Sequence, residues 1–197
     1  MLIRKVFRFE AAHIVRNCST DRCRWNIHGH SFKVEVFIRS SYLDNAGMVM
    51  DFGLLKPWVK EIFEAFDHSY LIWSGESAEF RDNLKKMSRR WIELPFSPTA
   101  ENLSRLFHYM VQRILERTDF VNGETGVEVS SVRVHETETG YTETEGWEPL
   151  VSEIGETGLD RVIFSGEISS DTRISEVMSV LLSADGRFTS FQDRMSD

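Results

Sequence analysis

Two histidines one residue apart, in His28-Gly29-His30, lead into the alternating run Ser31-Phe32-Lys33-Val34-Glu35-Val36-Phe37-Ile38. Strand side chains alternate between faces, so both imidazoles share the face of Phe32, Val34, Val36 and Ile38. A third, His13, ends the run from Ile3 and has the parity of Ile3, Phe7, Phe9 and Ala11. Antiparallel pairing of the two runs would bring the three rings to one end of one sheet face. Three neutral imidazoles with an open fourth position are the ligand set of a catalytic zinc, whereas a structural site closes with a fourth protein ligand, often cysteine. Taken singly, each histidine also reads as a core or strand-end residue. The two parity arguments together point to a metal.

Other residues carry chemistry nearby. Val132, Val134 and Glu136 share one parity, so a carboxylate ends an apolar stripe, a costly placement unless it is paired. Asp67-His68 closes a helical pattern and reads either as an acid/base pair or as a C-cap beside a surface histidine. Both cysteines, Cys18 and Cys23, lie between the first two strands among Arg16, Arg22 and Arg24, which could receive an anion.

Helices must position these groups. Leu55, Trp58, Val59, Ile62, Phe63 and Phe66 recur at helical spacing behind Asp51, an N-cap candidate, with Pro57 near the first turn. Residues 74–90 read as a short solvated helix with flanking loops, and Trp91 to Leu94 as a short extended segment. Ser97-Pro98-Thr99-Ala100-Glu101-Asn102 starts a second long helix that places Leu103, Leu106, Phe107, Met110, Ile114 and Leu115 on one face. Strands return over Val127 to Thr144, and Tyr141 to Glu145 is expected as the last strand of the core. Beyond Gly146 the chain turns acidic and serine-containing, with a strand at Arg161 to Phe164 and a helix at Ile174 to Leu182. That composition suits a peripheral appendage.

The chain of 197 residues fits one domain, alone or with an appendage, and its 41% hydrophobic and 27% charged residues are ordinary for a soluble protein. A net charge of −8 argues against a nucleic-acid or anionic-membrane surface. With no signal peptide, no membrane-length apolar run and only two cysteines, the cytoplasm is expected.

Phe9-Glu10-Ala11-Ala12-His13, Cys23 ahead of His28-Gly29-His30, Gly47-Met48-Val49-Met50-Asp51-Phe52, Asp67-His68-Ser69-Tyr70-Leu71, Pro98-Thr99-Ala100-Glu101-Asn102 and Val134-His135-Glu136-Thr137 occur in an order that resembles the 6-pyruvoyl-tetrahydropterin synthase and 6-carboxy-tetrahydropterin synthase family. The resemblance covers residues 1–145. It implies an α+β tunnelling fold (T-fold), a four-stranded antiparallel sheet with two helices on one face, closed into a barrel by homo-oligomerisation as a trimer or hexamer. It further implies Zn2+ on His13, His28 and His30, and Cys23 as general base with Asp67 and His68 as proton-relay partners. Glu136 would anchor the pterin ring, and Thr99 and Glu101 would line its pocket. The implied activity is a lyase on 7,8-dihydroneopterin triphosphate. The fifteen positions from His13 to His28 favour the short first loop of the queuosine branch and a 6-carboxy-5,6,7,8-tetrahydropterin product. The alternatives are a 6-pyruvoyl-tetrahydropterin synthase releasing triphosphate and a non-catalytic zinc- or pterin-binding protein. Residues 146–197 have no counterpart in the resemblance.

Overall fold

The computed structural model describes residues 1–146 and 158–188. The two in-phase stripes pair as expected. Strand β1 (Leu2–His13) runs antiparallel to β2 (His28–Arg39), from Leu2 opposite Arg39 to His13 opposite His28. Strand β5 (Glu128–Thr137) pairs antiparallel with β2, and β6 (Gly140–Glu145) with β5. The expected four-stranded antiparallel sheet is thus present in the order β6-β5-β2-β1.

Three further strands lengthen it. Strand β3 (Ser69–Trp73) lies parallel to β1 through Ala11 to His13, β4 (Trp91–Leu94) parallel to β3, and β7 (Ile163–Phe164) antiparallel to β4. Among the described residues the whole is a seven-stranded mixed sheet. Because β3 covers only the last three residues of β1, the stretch Leu2–Glu10 is paired on its β2 side alone among the described strands.

Helices α2 (Val59–Phe66) and α4 (Ala100–Arg117) cover one face and bury the stripes that the sequence predicts. Phe9 is the hub of the core: Phe32 stacks on it at 4.9 Å, and Phe107 meets it edge-on at 5.8 Å. Asp51 caps a 3-10 turn over Phe52–Leu55 by accepting from the Gly53 N–H at 2.6 Å. The predicted helix is interrupted around Pro57, which has no N–H to donate, and resumes at Val59. Helix α3 (Ala78–Met87) holds Glu93 of β4 through Arg81 and Lys85. Glu93 alternates with the core residues Ile92 and Leu94, so α3 lies on the opposite face from α2 and α4.

Residues 158–188 supply β7, α5 (Gly166–Ser169) and α6 (Thr172–Leu182). Ile174, Val177 and Leu181 of α6 join the common core, and the Phe188 ring lies 4.5 Å from that of Trp58. Residues 147–157 and 189–197 of the expected appendage lie outside the described residues. No helix among the described residues is long and apolar enough to cross a membrane.

Candidate metal centre and active site

The β1–β2 register sets His13 against His28 and Ala11 against His30, which puts the three rings on one face at one end of the sheet. Ring centroids stand 4.6 Å apart for His13 and His28 and 5.2 Å apart for each pair with His30. One nitrogen from each ring lies within 4.8 Å of the other two, a spacing that could hold a metal ion. Glycine between the two strand histidines has a steric reason. A Cβ at Gly29 would meet the Ala11 carbonyl oxygen at 3.2 Å, crowding β1 where the ligand strands must pair.

Each ring is oriented by a backbone carbonyl. His13 Nδ1 lies 2.6 Å from the Pro98 oxygen, His28 Nδ1 lies 3.0 Å from that of Asn26, and His30 bonds the carbonyl of Glu136. A ring that donates one N–H keeps its other nitrogen as a bare lone pair, the form a metal needs. His13 shows the consequence: its Nε2 is buried without a hydrogen-bond partner among the described residues. Burial lowers the His13 pKa to about 4; the Pro98 carbonyl opposes this, and the neighbouring His28 and His30 add to it. Burial and then His28 lower that of His30 also. Both rings are therefore neutral at pH 7.

Glu136 reaches the same place from the end of β5. Its Oε1 stands 3.9 Å from His13 Nε2, and the carboxylate accepts from the Ala100 N–H at the start of α4. Burial and then the Glu101 charge raise its pKa, with His28 and the Ala100 N–H pulling the other way. Thr99 caps α4 by accepting from the Asn102 N–H at 3.3 Å, and Glu101 stands in the first turn. The sheet end and one helix start thus bring His13, His28, His30, Glu136, Thr99 and Glu101 together.

Cys23 lies in a five-residue helix, α1 (Asp21–Trp25), within the connection between β1 and β2. Its backbone oxygen accepts from the Val15 N–H at 3.1 Å, drawing α1 back toward the end of β1. The thiol is half-buried. Two of the loop arginines do not stand free for an anion: Arg16 is bonded to Glu76, and Arg24 to the Cys18 carbonyl.

Asp67 and His68 are placed elsewhere. Ser69 and Leu71 lie beside Ala11 and His13 and are buried with them, so by alternation Tyr70 faces the other side of the sheet, while His68 stands in the turn that precedes β3. His68, its side chain 74% exposed, lines a shallow cavity of about 370 Å3 with Glu10, Gly29, His30 and Ser31, and of these Glu10 and Ser31 point away from the core face. Asp67 accepts from the Glu10 N–H at 2.8 Å and from His68 Nδ1 at 2.8 Å. Burial alone would raise its pKa, but these donors outweigh it and the net shift is downward. His68 itself has φ of +55°, a left-handed conformation costly for a residue with a side chain, held by its N–H bond to the Glu10 oxygen at 2.7 Å. The pair lies across the sheet from the histidine triad of its own chain.

The carbonyls of Pro98, Asn26 and Glu136 and the N–H of Ala100 carry no sequence signal, because any residue type supplies them. A local pattern finds the ligands but not the backbone groups that aim them.

Comparison with known proteins identifies relatives of this chain. The chain is 44% identical over 144 residues to a 6-carboxy-5,6,7,8-tetrahydropterin synthase of Helicobacter pylori, covering 73% of this chain and 72% of that protein. It is 34% identical to the protein of the same name from Aquifex aeolicus, over 72% of this chain and 95% of that one. The solved 6-pyruvoyl tetrahydropterin synthase of Caenorhabditis elegans superposes with a TM-score of 0.52 at 20% identity, covering 75% of this chain and 96% of that one, a likeness of fold. The family model described as 6-pyruvoyl tetrahydropterin synthase matches residues 2–146, the stretch that contains the triad, Cys23 and Glu136 on their T-fold sheet, and the chain belongs to that family.

Proposed function

We propose that this protein is a zinc-dependent lyase of the cytoplasm that converts 7,8-dihydroneopterin triphosphate to 6-carboxy-5,6,7,8-tetrahydropterin in the queuosine route. The observation that carries the reading is the triad, with each ring turned by a backbone carbonyl. Zinc, when bound there, supplies a Lewis acid that acidifies a substrate hydroxyl. The names of the Helicobacter and Aquifex relatives support the carboxy product over the pyruvoyl one.

The chain's own residues divide the remaining work. Glu136 accepts two N–H bonds from the aminopyrimidine edge of the pterin, a planar bidentate match. Its raised pKa in the open site means that pterin donors replace lost solvation when the ring docks. Thr99 and Glu101 wall the pterin pocket at the start of α4. Cys23 removes a side-chain proton as thiolate, the reactive form of cysteine.

Asp67 and His68 act as the relay, and their position across the sheet gives the relay a condition. A pair on the far face reaches a triad only when a neighbouring subunit presents it. Closure of the sheet into a trimeric or hexameric barrel provides such neighbours. Among the described strands β6 is an edge of the sheet and Leu2–Glu10 of β1 has a neighbour on one side alone, and these are stretches that could pair with another copy. In this reading residues 1–145 are the pterin synthase-like unit, and residues 146–197 are a C-terminal appendage to which no role is assigned.

Incubation with dihydroneopterin triphosphate and an acetaldehyde assay test the reaction. Stoichiometric acetaldehyde is expected. Triphosphate release without acetaldehyde would assign the pyruvoyl product, and neither product would leave a zinc- or pterin-binding protein.

A further inference from the structure

Helix α1 carries Cys23 yet buries none of its five residues, and its N-cap Thr20 makes no side-chain capping bond. Apolar packing therefore does not hold it, and a helix this short has little stability of its own. Polar contacts do. Arg16 donates through its Nη1 to the Arg24 carbonyl, one residue past Cys23, at 2.8 Å. Its Nε donates at 2.6 Å to Glu76, sixty positions downstream in the turn before α3. Both side chains are largely buried, at 20% and 13% exposure. Its guanidinium also lies 5.1 Å from the ring centroid of Phe80 in α3 and 5.6 Å from that of Trp25 in α1.

We infer that Arg16, locked by Glu76, is a positioning residue that sets where Cys23 stands relative to the metal triad. The inference rests on the reading of Cys23 as the base. A planar guanidinium suits the task, because one fork can hold a carboxylate and a carbonyl at once. The histidines need no such device, since they stand on paired strands. The base sits on a connection that the sheet does not order, and α3, rooted on β4 through Glu93, supplies the missing anchor.

The test compares Arg16→Met, which keeps the apolar stem, and Glu76→Gln, which keeps the volume, with the parent as zinc-loaded full chains. Displacing a reacting group by about 1 Å can cost roughly a hundredfold in rate, so kcat should fall roughly ten- to a hundredfold in Arg16→Met and less in Glu76→Gln. KM and zinc content should stay near the parent's, while the unfolding midpoint falls in Arg16→Met, which leaves the Glu76 carboxylate without its partner. Arg16→Lys, which restores the charge but not the fork, should recover only part of kcat. Limited trypsin digestion gives a readout besides activity: freeing α1 should speed cleavage after Arg22 or Arg24.

Adding Arg16→Met to Cys23→Ala should cost nothing further, because there is no base left to place. Parent-like kcat and unchanged cleavage in both variants, with Cys23→Ala inactive, would overturn the inference alone. A Cys23→Ala protein that turns over normally would overturn the base assignment instead. A loss of zinc or of the fold in Glu76→Gln that parallels its loss of rate would mean that the clamp is merely structural.

Discussion

His13 makes the acid stability of the metal-free protein a test of the site. Its side chain is fully buried, and burial takes its pKa from 6.5 to about 4. In the unfolded chain the same ring takes up a proton near 6.5. Between these values the unfolded state holds more protons, so stability falls as the pH drops from about 6.5 toward 4, whereas above about 7 this group has no effect. Two populations titrating at those values differ by about 2 kcal/mol at pH 5 and about 3 kcal/mol at pH 4. The perturbation is His13→Gln, which cannot titrate and can still donate toward Pro98. Urea unfolding of both proteins in chelator at pH 7, 6 and 5 reads the difference. Buried His108, whose pKa burial also lowers to about 4, and Glu61, whose pKa burial raises, are common to both proteins and cancel. The parent should lose about 2 kcal/mol more than the variant between pH 7 and pH 5. Parallel curves, within about 0.5 kcal/mol, would refute the buried neutral His13 on which the metal site depends.

The other expectations concern metal, assembly and the tail. His28→Ala should lose bound zinc, Cys23→Ala should keep zinc while losing turnover, and Cys18→Ala should be nearly silent; metal analysis with rate measurement separates the three. Light scattering should find a trimer or hexamer, well above the 22.9 kDa of one chain, and a monomer at micromolar concentration would contradict the shared relay. Mixing inactive Cys23→Ala and His68→Ala subunits after dissociation should restore about a quarter of parent activity if each site takes its base and its relay from neighbouring copies, and none if both come from one copy. Ending the chain after Gly146 removes the cover that Phe188 gives Trp58 and the Arg173 partner of Glu61, so the urea midpoint should fall even though every proposed site residue remains.

The histidine cluster is legible because the rule that places it is local. Alternation along β1 and along β2 fixes which face each histidine takes, and the antiparallel pairing of these consecutive strands brings the rings to one end. The same rule fails where a partner comes from far along the chain. Strand β3 is five residues with no clear alternation, and what makes it a strand is β1, more than fifty positions earlier. Its parallel register turns Ser69 and Leu71 to the core, whereas His68, in the left-handed turn before it, lies with Glu10 and Ser31, so a residue that belongs to one motif on paper stands apart from the others. Helix α1 was missed for a different reason: with no buried residue it has no apolar period to detect. Two of the loop arginines that the sequence offers as an anion site, Arg16 and Arg24, are claimed instead by Glu76 and by a backbone carbonyl, and only the fold reveals the claim. Sequence thus locates the groups whose position a single strand determines. Cys23 on α1 and the Asp67–His68 pair, the proposed base and relay, are groups whose position depends on long-range pairing, and on the proposed reading their arrangement is completed by the fold and by assembly together.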